Sequence, residues 1–330
     1  MAKRSKGSPL IAFQQRFATE QACIEHLAAL RWPQGYRCRK CDCEKAYQLR
    51  VEPRVFMCSR GNFQESVTAG TRLHRTKLPL VKWFWAAYML AQDKRGVSAM
   101  HVSRELNLRY ATAWTILHKL RRALEDNEGT LLDGVVEVDE TYYGGKGGPG
   151  STGRSLANDN KALIIMAVER KPARKDQMPG IKKTCFVVGS AKVAMIASAG
   201  SGDIGSLLRD NLSPGTNMLT DGWSGYFTPG QNFKHEPMVQ GNPANAKRIL
   251  PLVHLQFSNL KSWLNGTFHG VSPKHLPAYL QEWNYRFNRR SIITDLFQYI
   301  IKRAVHSVAV TYKEVAKGKM PINALNGSCG

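Results

Sequence analysis

The sequence is poor in acidic residues, which number 25 among 330, whereas lysine and arginine together number 47. The formal net charge at neutral pH is therefore +22, far above that of an ordinary metabolic enzyme. A surplus of this size predicts a polyanionic partner, either nucleic acid or an anionic membrane surface.

The sequence also lacks a long apolar run. Its most apolar stretch, from Leu78 to Leu90, is broken by Lys82 and falls short of the ~20 residues that span a bilayer. The opening residues lead into a polar, amphipathic segment rather than the apolar core of a signal peptide. Seven unevenly spaced cysteines do not form the pattern of a secreted disulfide framework. We therefore expect a cytoplasmic, nucleoid-associated protein that binds nucleic acid and no membrane.

The positive charge is concentrated in the first third of the chain. Residues 1–122 hold 23 basic and 8 acidic side chains, a net charge of +15, and the other 208 residues hold 24 and 17, a net charge of +7. Basic side chains that neutralise phosphates supply affinity without reading sequence. The first third is predicted to contact double-stranded DNA, and a solvated basic surface is the alternative.

Four cysteines in this region have the spacing of metal ligands. Cys38 and Cys41 form a metal-knuckle pair, and Cys58 follows 17 residues after Cys41, as in a zinc ribbon. The second knuckle would need a cysteine at position 61, where the chain has Gly61. Either Cys43 supplies the fourth ligand to Zn²⁺, or the ribbon has lost its metal.

Two helices with a tight turn between them are predicted over Val97–Leu108 and Arg109–Arg122. In the second helix Ala113, Ile116, Leu117 and Leu120 form an apolar stripe. Such a helix can lie in the major groove, and a helical hairpin of the core is the alternative. The side chains predicted to face DNA are Arg109, Tyr110, Thr112, Lys119, Arg121 and Arg122.

After residue 126 the pattern changes to apolar strands followed by helices, which predicts an α/β fold with a mixed sheet. The predicted organisation comprises an N-terminal helical segment (1–35), a zinc-ribbon-like module (36–72), a helix-turn-helix region (73–126), a catalytic domain (127–310) and a C-terminal tail (311–330).

Carboxylates within apolar strands are the candidate chemical groups. In the strand at 135–140, alternation places Glu137 and Asp139 on one face and Val136, Val138 and Glu140 on the other. Asp221 ends another apolar strand. Two aspartates on neighbouring strands are predicted to hold a divalent metal jointly, whereas each alone is more often a strand-end cap.

The chain resembles a known family in several motifs. These are Ser66-Val-Thr-Ala-Gly-Thr71, His74-Arg-Thr-Lys-Leu-Pro-Leu80, Val138-Asp-Glu-Thr-Tyr142, Thr220-Asp-Gly-Trp-Ser-Gly-Tyr226, Ser258-Asn-Leu-Lys-Ser-Trp-Leu264 and Asn284-Tyr-Arg-Phe-Asn-Arg-Arg290. Together they resemble the zinc-ribbon insertion-sequence transposases of DDE type with an ISXO2-like catalytic domain. The resemblance implies a ribonuclease-H-like fold and DNA strand cleavage and joining that depend on Mg²⁺ or Mn²⁺. It also implies that Asp139 and Asp221 are the first two catalytic acids.

The third acid departs from the family pattern, in which a Glu precedes a Lys by seven residues. Alignment on Lys261 places His254 at the Glu position, and Asn259 is the alternative. Seven residues turn a helix through about 700°, so His254 and Lys261 share a face, whereas Asn259 points elsewhere. We favour His254 as the third ligand and expect Lys261 near the DNA phosphate.

The sequence thus predicts a transposase that binds the terminal inverted repeats of its own element and acts as a homodimer or higher oligomer on DNA. The competing hypothesis is a decayed transposase that acts as a DNA-binding protein or repressor. The missing third carboxylate and Gly61 both favour that alternative.

Overall fold

A computed structural model describes residues 9–124, 130–144, 161–173, 186–238, 249–291 and 296–318. These residues divide into two compact units, the first within Met1–Leu124 and Ser291–Gly330 and the second within Glu125–Arg290. The boundary predicted at residue 126, the thiols of Cys185 and Cys329, and most of the predicted C-terminal tail lie outside the described residues.

The first unit combines a small sheet with helices. Its elements are α1 (Pro9–Arg16), α2 (Glu20–Arg31), β1 (Ala46–Gln48), β2 (Val55–Cys58), β3 (Gln64–Ser66), α3 (Leu80–Gln92), α4 (Ala99–Glu105), α5 (Tyr110–Ala123), α10 (Leu296–His306) and α11 (Tyr312–Ala316). The three strands form an antiparallel sheet in the order β1-β2-β3. Thr19 caps the N-terminus of helix α2, and its hydroxyl accepts a hydrogen bond from the amide of Ala22.

Aromatic packing explains why a distant segment joins this unit. The ring of Phe297 in α10 contacts the rings of Phe13, Phe17, Phe84 and Tyr88. The apolar face of α10 is buried, and the helix packs against α2, α3 and α5. The catalytic domain was predicted to extend to residue 310, but α10 belongs to the first unit because its apolar face covers these aromatic side chains.

The second unit contains β4 (Val135–Gly144), β5 (Lys161–Pro172), β6 (Phe186–Ile196), α6 (Ser201–Asn211), β7 (Asn217–Asp221), a 3₁₀ turn (Ser224–Tyr226), α7 (Phe227–Gly230), β8 (Lys234–Met238), α8 (Pro251–Phe268) and α9 (Leu276–Asn288). The strands form one mixed sheet in the order β6-β5-β4-β7-β8. Strands β4, β5 and β6 are antiparallel neighbours, and β7 and β8 run parallel to β4. The predicted α/β fold with a mixed sheet is confirmed.

Helices cover both faces of this sheet. On one face Ile164, Met166 and Val168 of β5 belong to a core cluster with residues of α8 and α9. On the other face Ile165 and Ala167 belong to a second cluster with residues of α6. The alternation along β5 therefore builds two apolar layers, one on each side of the sheet.

Candidate active site and thiolate cluster

The two predicted catalytic aspartates lie close together on neighbouring parallel strands, Asp139 in the middle of β4 and Asp221 at the end of β7. Glu137 of β4 lies opposite Leu219 of β7, and Asp139 and Asp221 each follow two residues later. Asp139 is buried and Asp221 is partly buried. Their backbone surroundings fix both carboxylates, because Oδ1 of Asp139 accepts from the amide of Glu140 at 2.9 Å and Oδ1 of Asp221 accepts from that of Trp223 at 3.0 Å.

A third carboxylate, that of Glu140, completes the cluster. One ligand atom each of Asp139, Glu140 and Asp221 lies within 4.8 Å of the other two. The buried hydroxyl of Tyr226 donates to Oε2 of Glu140 at 2.6 Å. Burial raises the pKa of Tyr226 well above its usual value, and the negative charges of the three carboxylates raise it further.

Strand alternation predicts that Glu140 lies on the face opposite Asp139, and Glu140 was therefore not among the predicted site residues. The two side chains make contacts on different sides of the strand, since Asp139 meets His254 and Glu140 meets Tyr226. Both carboxylates nevertheless lie near that of Asp221, which ends β7. The available signal was the pair of adjacent acidic residues within an apolar strand.

Helix α8 brings His254 to this cluster. Its Nδ1 lies 3.7 Å from Oδ2 of Asp139. The start of α8 is held by Glu137, a fully buried residue whose Oε2 accepts from the amides of Leu252 and Val253 at 2.8 and 2.9 Å. The other oxygen of Glu137 accepts from Arg170 at 2.5 Å. A carboxylate at a helix N-terminus satisfies amides that have no partner within the helix.

The two alternatives for the third ligand occupy different places on α8. Asn259 is exposed and donates to Gln256 at 3.2 Å, whereas His254 contacts Asp139. Lys261 reaches the same strand as His254, and its Nζ donates to the hydroxyl of Thr141 at 2.7 Å. Burial lowers the pKa of Lys261. The geometry therefore separates Asn259 from the carboxylates and brings His254 to them.

The donor set fits a divalent cation. Carboxylate oxygens are hard ligands of the kind that Mg²⁺ and Mn²⁺ take, and an imidazole is a ligand better suited to Mn²⁺ than to Mg²⁺. Asp139, Glu140 and Asp221 supply three carboxylates, and His254, which lies beside Asp139 but outside the group whose ligand atoms are all within 4.8 Å of one another, could add an imidazole.

In the first unit, three of the four predicted zinc ligands come together. The sulfurs of Cys38, Cys41 and Cys58 lie within 4.8 Å of one another, and those of Cys41 and Cys58 are 3.5 Å apart. Cys43 lies outside this group, with its sulfur 3.3 Å from the hydroxyl oxygen of Ser59. Hydrogen bonds, foremost from the backbone of Lys40, lower the pKa of Cys38 to about 7. The donor set fits a thiophilic metal such as Zn²⁺.

The predicted DNA-facing residues of α5 fall into two groups. Arg109 and Tyr110 are exposed at its start, and Thr112 is partly exposed. The prediction for Arg121 and Arg122 is wrong, because both are almost completely buried. Arg121 donates to the carbonyl of Val97 at 3.1 Å, and Arg122 donates to the carbonyl of Val315 in α11.

Lys119 lines a cavity of about 500 Å³ beside α5, together with basic residues that the sequence analysis did not select. The cavity is also lined by Arg75 and Lys77 of the His74-Arg-Thr-Lys motif and by Tyr312. Burial lowers the pKa of Lys119, and the nearby charge of Arg72 lowers it further. The side chain is therefore half-buried in a basic cavity rather than fully outward.

The described helices include no segment long and apolar enough to cross a membrane. No curated protein matches the chain. Among solved structures, one titled as the crystal structure of the Mos1 strand transfer complex is similar, with 11% sequence identity and a TM-score of 0.27. The similarity covers 72% of this chain and 78% of that one.

Two domain families match the sequence. The ISXO2-like transposase domain matches residues 131–288, which hold the carboxylate cluster and His254. The transposase zinc-ribbon domain matches residues 18–61, which hold the three clustered cysteines. The chain therefore belongs to the zinc-ribbon insertion-sequence transposases with an ISXO2-like DDE domain.

Proposed function

We propose that this protein is the DNA transposase of an insertion sequence, which binds the terminal inverted repeats of its element and catalyses metal-dependent strand cleavage and strand transfer. The observation that carries the proposal is the meeting of Asp139, in the middle of β4, with Asp221, at the end of β7, and the approach of His254 to Asp139 from α8. The five-stranded mixed sheet agrees with the ribonuclease-H-like fold that the family resemblance implies.

In this proposal Asp139, Asp221 and His254 hold Mg²⁺ or Mn²⁺, and Glu140 adds a third carboxylate. A divalent cation there supplies charge neutralisation at the scissile phosphate and activation of the attacking hydroxyl. Tyr226 orients the Glu140 carboxylate through its hydrogen bond. Glu137 sets the position of His254 by holding the N-terminus of α8.

Lys261 is proposed to face the phosphodiester. Its ammonium group lies at Thr141, two residues beyond Asp139 on β4, a spacing of about 7 Å along a strand. The hydrogen bond to Thr141 holds the ammonium group beside the carboxylates, where it can balance the charge of a DNA strand.

The first unit is proposed to bind the element ends. Helices α4 and α5, joined by a short turn, would act as a helix-turn-helix in which the start of α5 enters the major groove. Arg109, Tyr110 and Thr112 occupy that start. Arg75, Lys77 and Lys119 would add phosphate contacts beside it, since all three line one cavity and carry positive charge.

Cleavage and joining of two element ends favours a dimer or higher oligomer on DNA, and such an enzyme would work at the nucleoid. The decayed-transposase hypothesis rested on a missing third carboxylate and on Gly61 at the position of a cysteine. Glu140 provides one within the cluster, which favours the active enzyme.

The test is a strand-transfer assay with a duplex that carries the inverted repeats flanking the reading frame, in Mg²⁺ or Mn²⁺. Asp139→Asn and Asp221→Asn should abolish cleavage and leave end binding intact in a gel-shift assay. Asp210→Asn, at an exposed position on α6, is the matched control and should keep both activities. Full strand transfer by Asp139→Asn would refute the proposal.

A further inference from the structure

The ribbon contains two turns of the same geometry, of which only one carries a full pair of thiols. In the first turn the amide of Cys38 donates to the carbonyl of Cys43 at 3.0 Å, and Asp42 has a φ of 50°. In the second turn the amide of Cys58 donates to the carbonyl of Phe63 at 2.9 Å, and Asn62 has a φ of 54°. Each turn thus closes between residues five apart and carries its left-handed residue at the fifth position.

Superposing these patterns makes Gly61 the counterpart of Cys41. The first turn places its second thiol three residues after Cys38, and the position three residues after Cys58 is 61. A Cβ atom built on Gly61 would lie 3.6 Å from the sulfur of Cys41 and, apart from its own chain neighbours, would meet no other atom of the described residues within 4 Å. Gly61 is exposed, and its backbone is not in the left-handed region. The fourth corner of the site therefore faces solvent, and a cysteine there would fit without strain.

Cys43 does not occupy that corner. Its carbonyl closes the first turn, and its sulfur lies 3.3 Å from the Ser59 hydroxyl oxygen. The Cys43 thiol also interacts with that of Cys58, but it does not join the group in which all sulfurs lie within 4.8 Å of one another. In a tetrahedral zinc site the sulfurs are about 3.8 Å apart, as follows from Zn–S bonds of about 2.3 Å. The 3.5 Å separation of the Cys41 and Cys58 sulfurs is close to that value.

We propose that the ribbon holds Zn²⁺ through the three thiolates of Cys38, Cys41 and Cys58, and that the fourth coordination position beside Gly61 is open to an external thiolate or imidazole. An incoming thiol binds as its thiolate, loses its proton to the solvent and displaces a water molecule, with no change of oxidation state. Structural zinc sites normally close all four positions with protein ligands, whereas an open position allows ligand exchange. This inference does not depend on the proposed DNA chemistry.

The test uses Co²⁺ as a spectroscopic probe in the full-length protein under anaerobic conditions. The wild-type protein should show the charge-transfer intensity of three thiolates, and addition of imidazole or a monothiol should shift its ligand-field bands. Gly61→Cys should show the intensity of four thiolates and should not respond to either additive. Competition with a chromophoric chelator should show Zn²⁺ bound on the order of 100-fold more tightly by Gly61→Cys, since four ligands share the free energy of a structural site.

Cys43→Ser is the matched control and should bind Co²⁺ with the spectrum and affinity of the wild type. Loss of a thiolate band in Cys43→Ser would make Cys43 the fourth ligand and overturn the proposal. Absence of Co²⁺ and Zn²⁺ binding by the wild type, with binding by Gly61→Cys, would also overturn it. If neither imidazole nor a thiol changes the wild-type Co²⁺ spectrum, the fourth position is closed and the proposal is overturned.

Discussion

The carboxylate of Glu137 accepts a hydrogen bond from the amide of Leu252 at 2.8 Å and thereby fixes the start of the helix that carries His254. Glu137 is fully buried and also pairs with Arg170. We expect Glu137→Ala to lower the free energy of unfolding by about 3–5 kcal/mol, because it leaves buried amides and a guanidinium without their acceptor. Urea unfolding followed by circular dichroism measures the change. Glu236→Gln, on the exposed surface of β8, is the control and should change it by less than about 0.5 kcal/mol.

The third metal ligand can be identified by a pair of substitutions on α8. His254→Ala should weaken Mn²⁺ binding by roughly 10–100-fold and reduce strand transfer accordingly, because it removes a donor beside Asp139. Asn259→Ala should leave both within about twofold, since this side chain is exposed and bonded to Gln256. Calorimetric Mn²⁺ titration and the strand-transfer rate provide the measurements. The reverse pattern would assign the role to Asn259.

The hydrogen bond from the hydroxyl of Tyr226 to Glu140 can be removed without removing the aromatic ring. Tyr226→Phe keeps the ring but removes the donor to Oε2 of Glu140. We expect a loss of about 1–2 kcal/mol in the free energy of unfolding and a weakening of Mn²⁺ binding of roughly tenfold. Tyr110→Phe, at an exposed position in the first unit, should change neither quantity. Unchanged Mn²⁺ affinity in Tyr226→Phe would place Glu140 outside the metal site.

Two arginines of α5 should differ in their roles, because one is exposed and available to DNA and the other is buried and contributes to stability. DNA affinity falls with salt concentration, and the slope of log affinity against log salt grows with the number of phosphate contacts. Arg109→Ala removes one such contact and should make this slope less steep by about one. Its melting temperature should stay unchanged, since Arg109 is exposed. Arg121→Ala should instead lower the free energy of unfolding by about 1–3 kcal/mol with an unchanged salt slope, since the buried guanidinium donates to Val97. Fluorescence anisotropy at several salt concentrations checks both expectations.

Histidines should make the protein less stable in mild acid. Burial lowers the pKa of His26 below 6.5, and the charge of Arg16 lowers it further. Burial also lowers the pKa values of His74, His235 and His306. Just below pH 6.5 the unfolded chain binds protons that the native state does not bind, so stability falls as the pH falls. The melting temperature should be lower at pH 5 than at pH 7.

The contribution of His26 to this pH dependence can be isolated. His26→Leu should narrow the difference in melting temperature between pH 5 and pH 7, and His101→Leu, at an exposed position, should leave it unchanged. An equal difference in the wild type and in His26→Leu would contradict the assignment to His26.

The sequence predicts the proposed catalytic pair well because both aspartates belong to apolar segments that form neighbouring parallel strands. Each aspartate lies two residues beyond the last paired residues of β4 and β7, Glu137 and Leu219. The preference for His254 over Asn259 follows from helical periodicity, and the geometry favours the same residue. The same rules did not indicate Glu140, because strand alternation places it on the face opposite Asp139, whereas one of its carboxylate oxygens lies within 4.8 Å of oxygens of both aspartates.

Burial of Arg121 and Arg122 depends on contacts that no local pattern encodes. The carbonyl that accepts from Arg122 belongs to Val315, 193 positions further along the chain. Considered from the sequence of α5 alone, both arginines lie in the basic last turn of the helix and would be expected to be exposed to solvent. The missing information is the return of α10 and α11 to the first unit.

Because α10 and α11 pack in the first unit, that unit can finish folding only after they have been synthesised. A ribosome releases α1 to α5 well before α10, whose Phe297 completes the aromatic cluster and whose Ala304 carbonyl accepts from the amide of Arg72 at 3.0 Å. A nascent chain that stops before residue 296 therefore leaves the aromatic surface of the first unit uncovered. The first unit therefore cannot be completed until the whole second unit has been translated, and we expect prematurely terminated chains to be degraded rather than to accumulate as competitors for the same DNA.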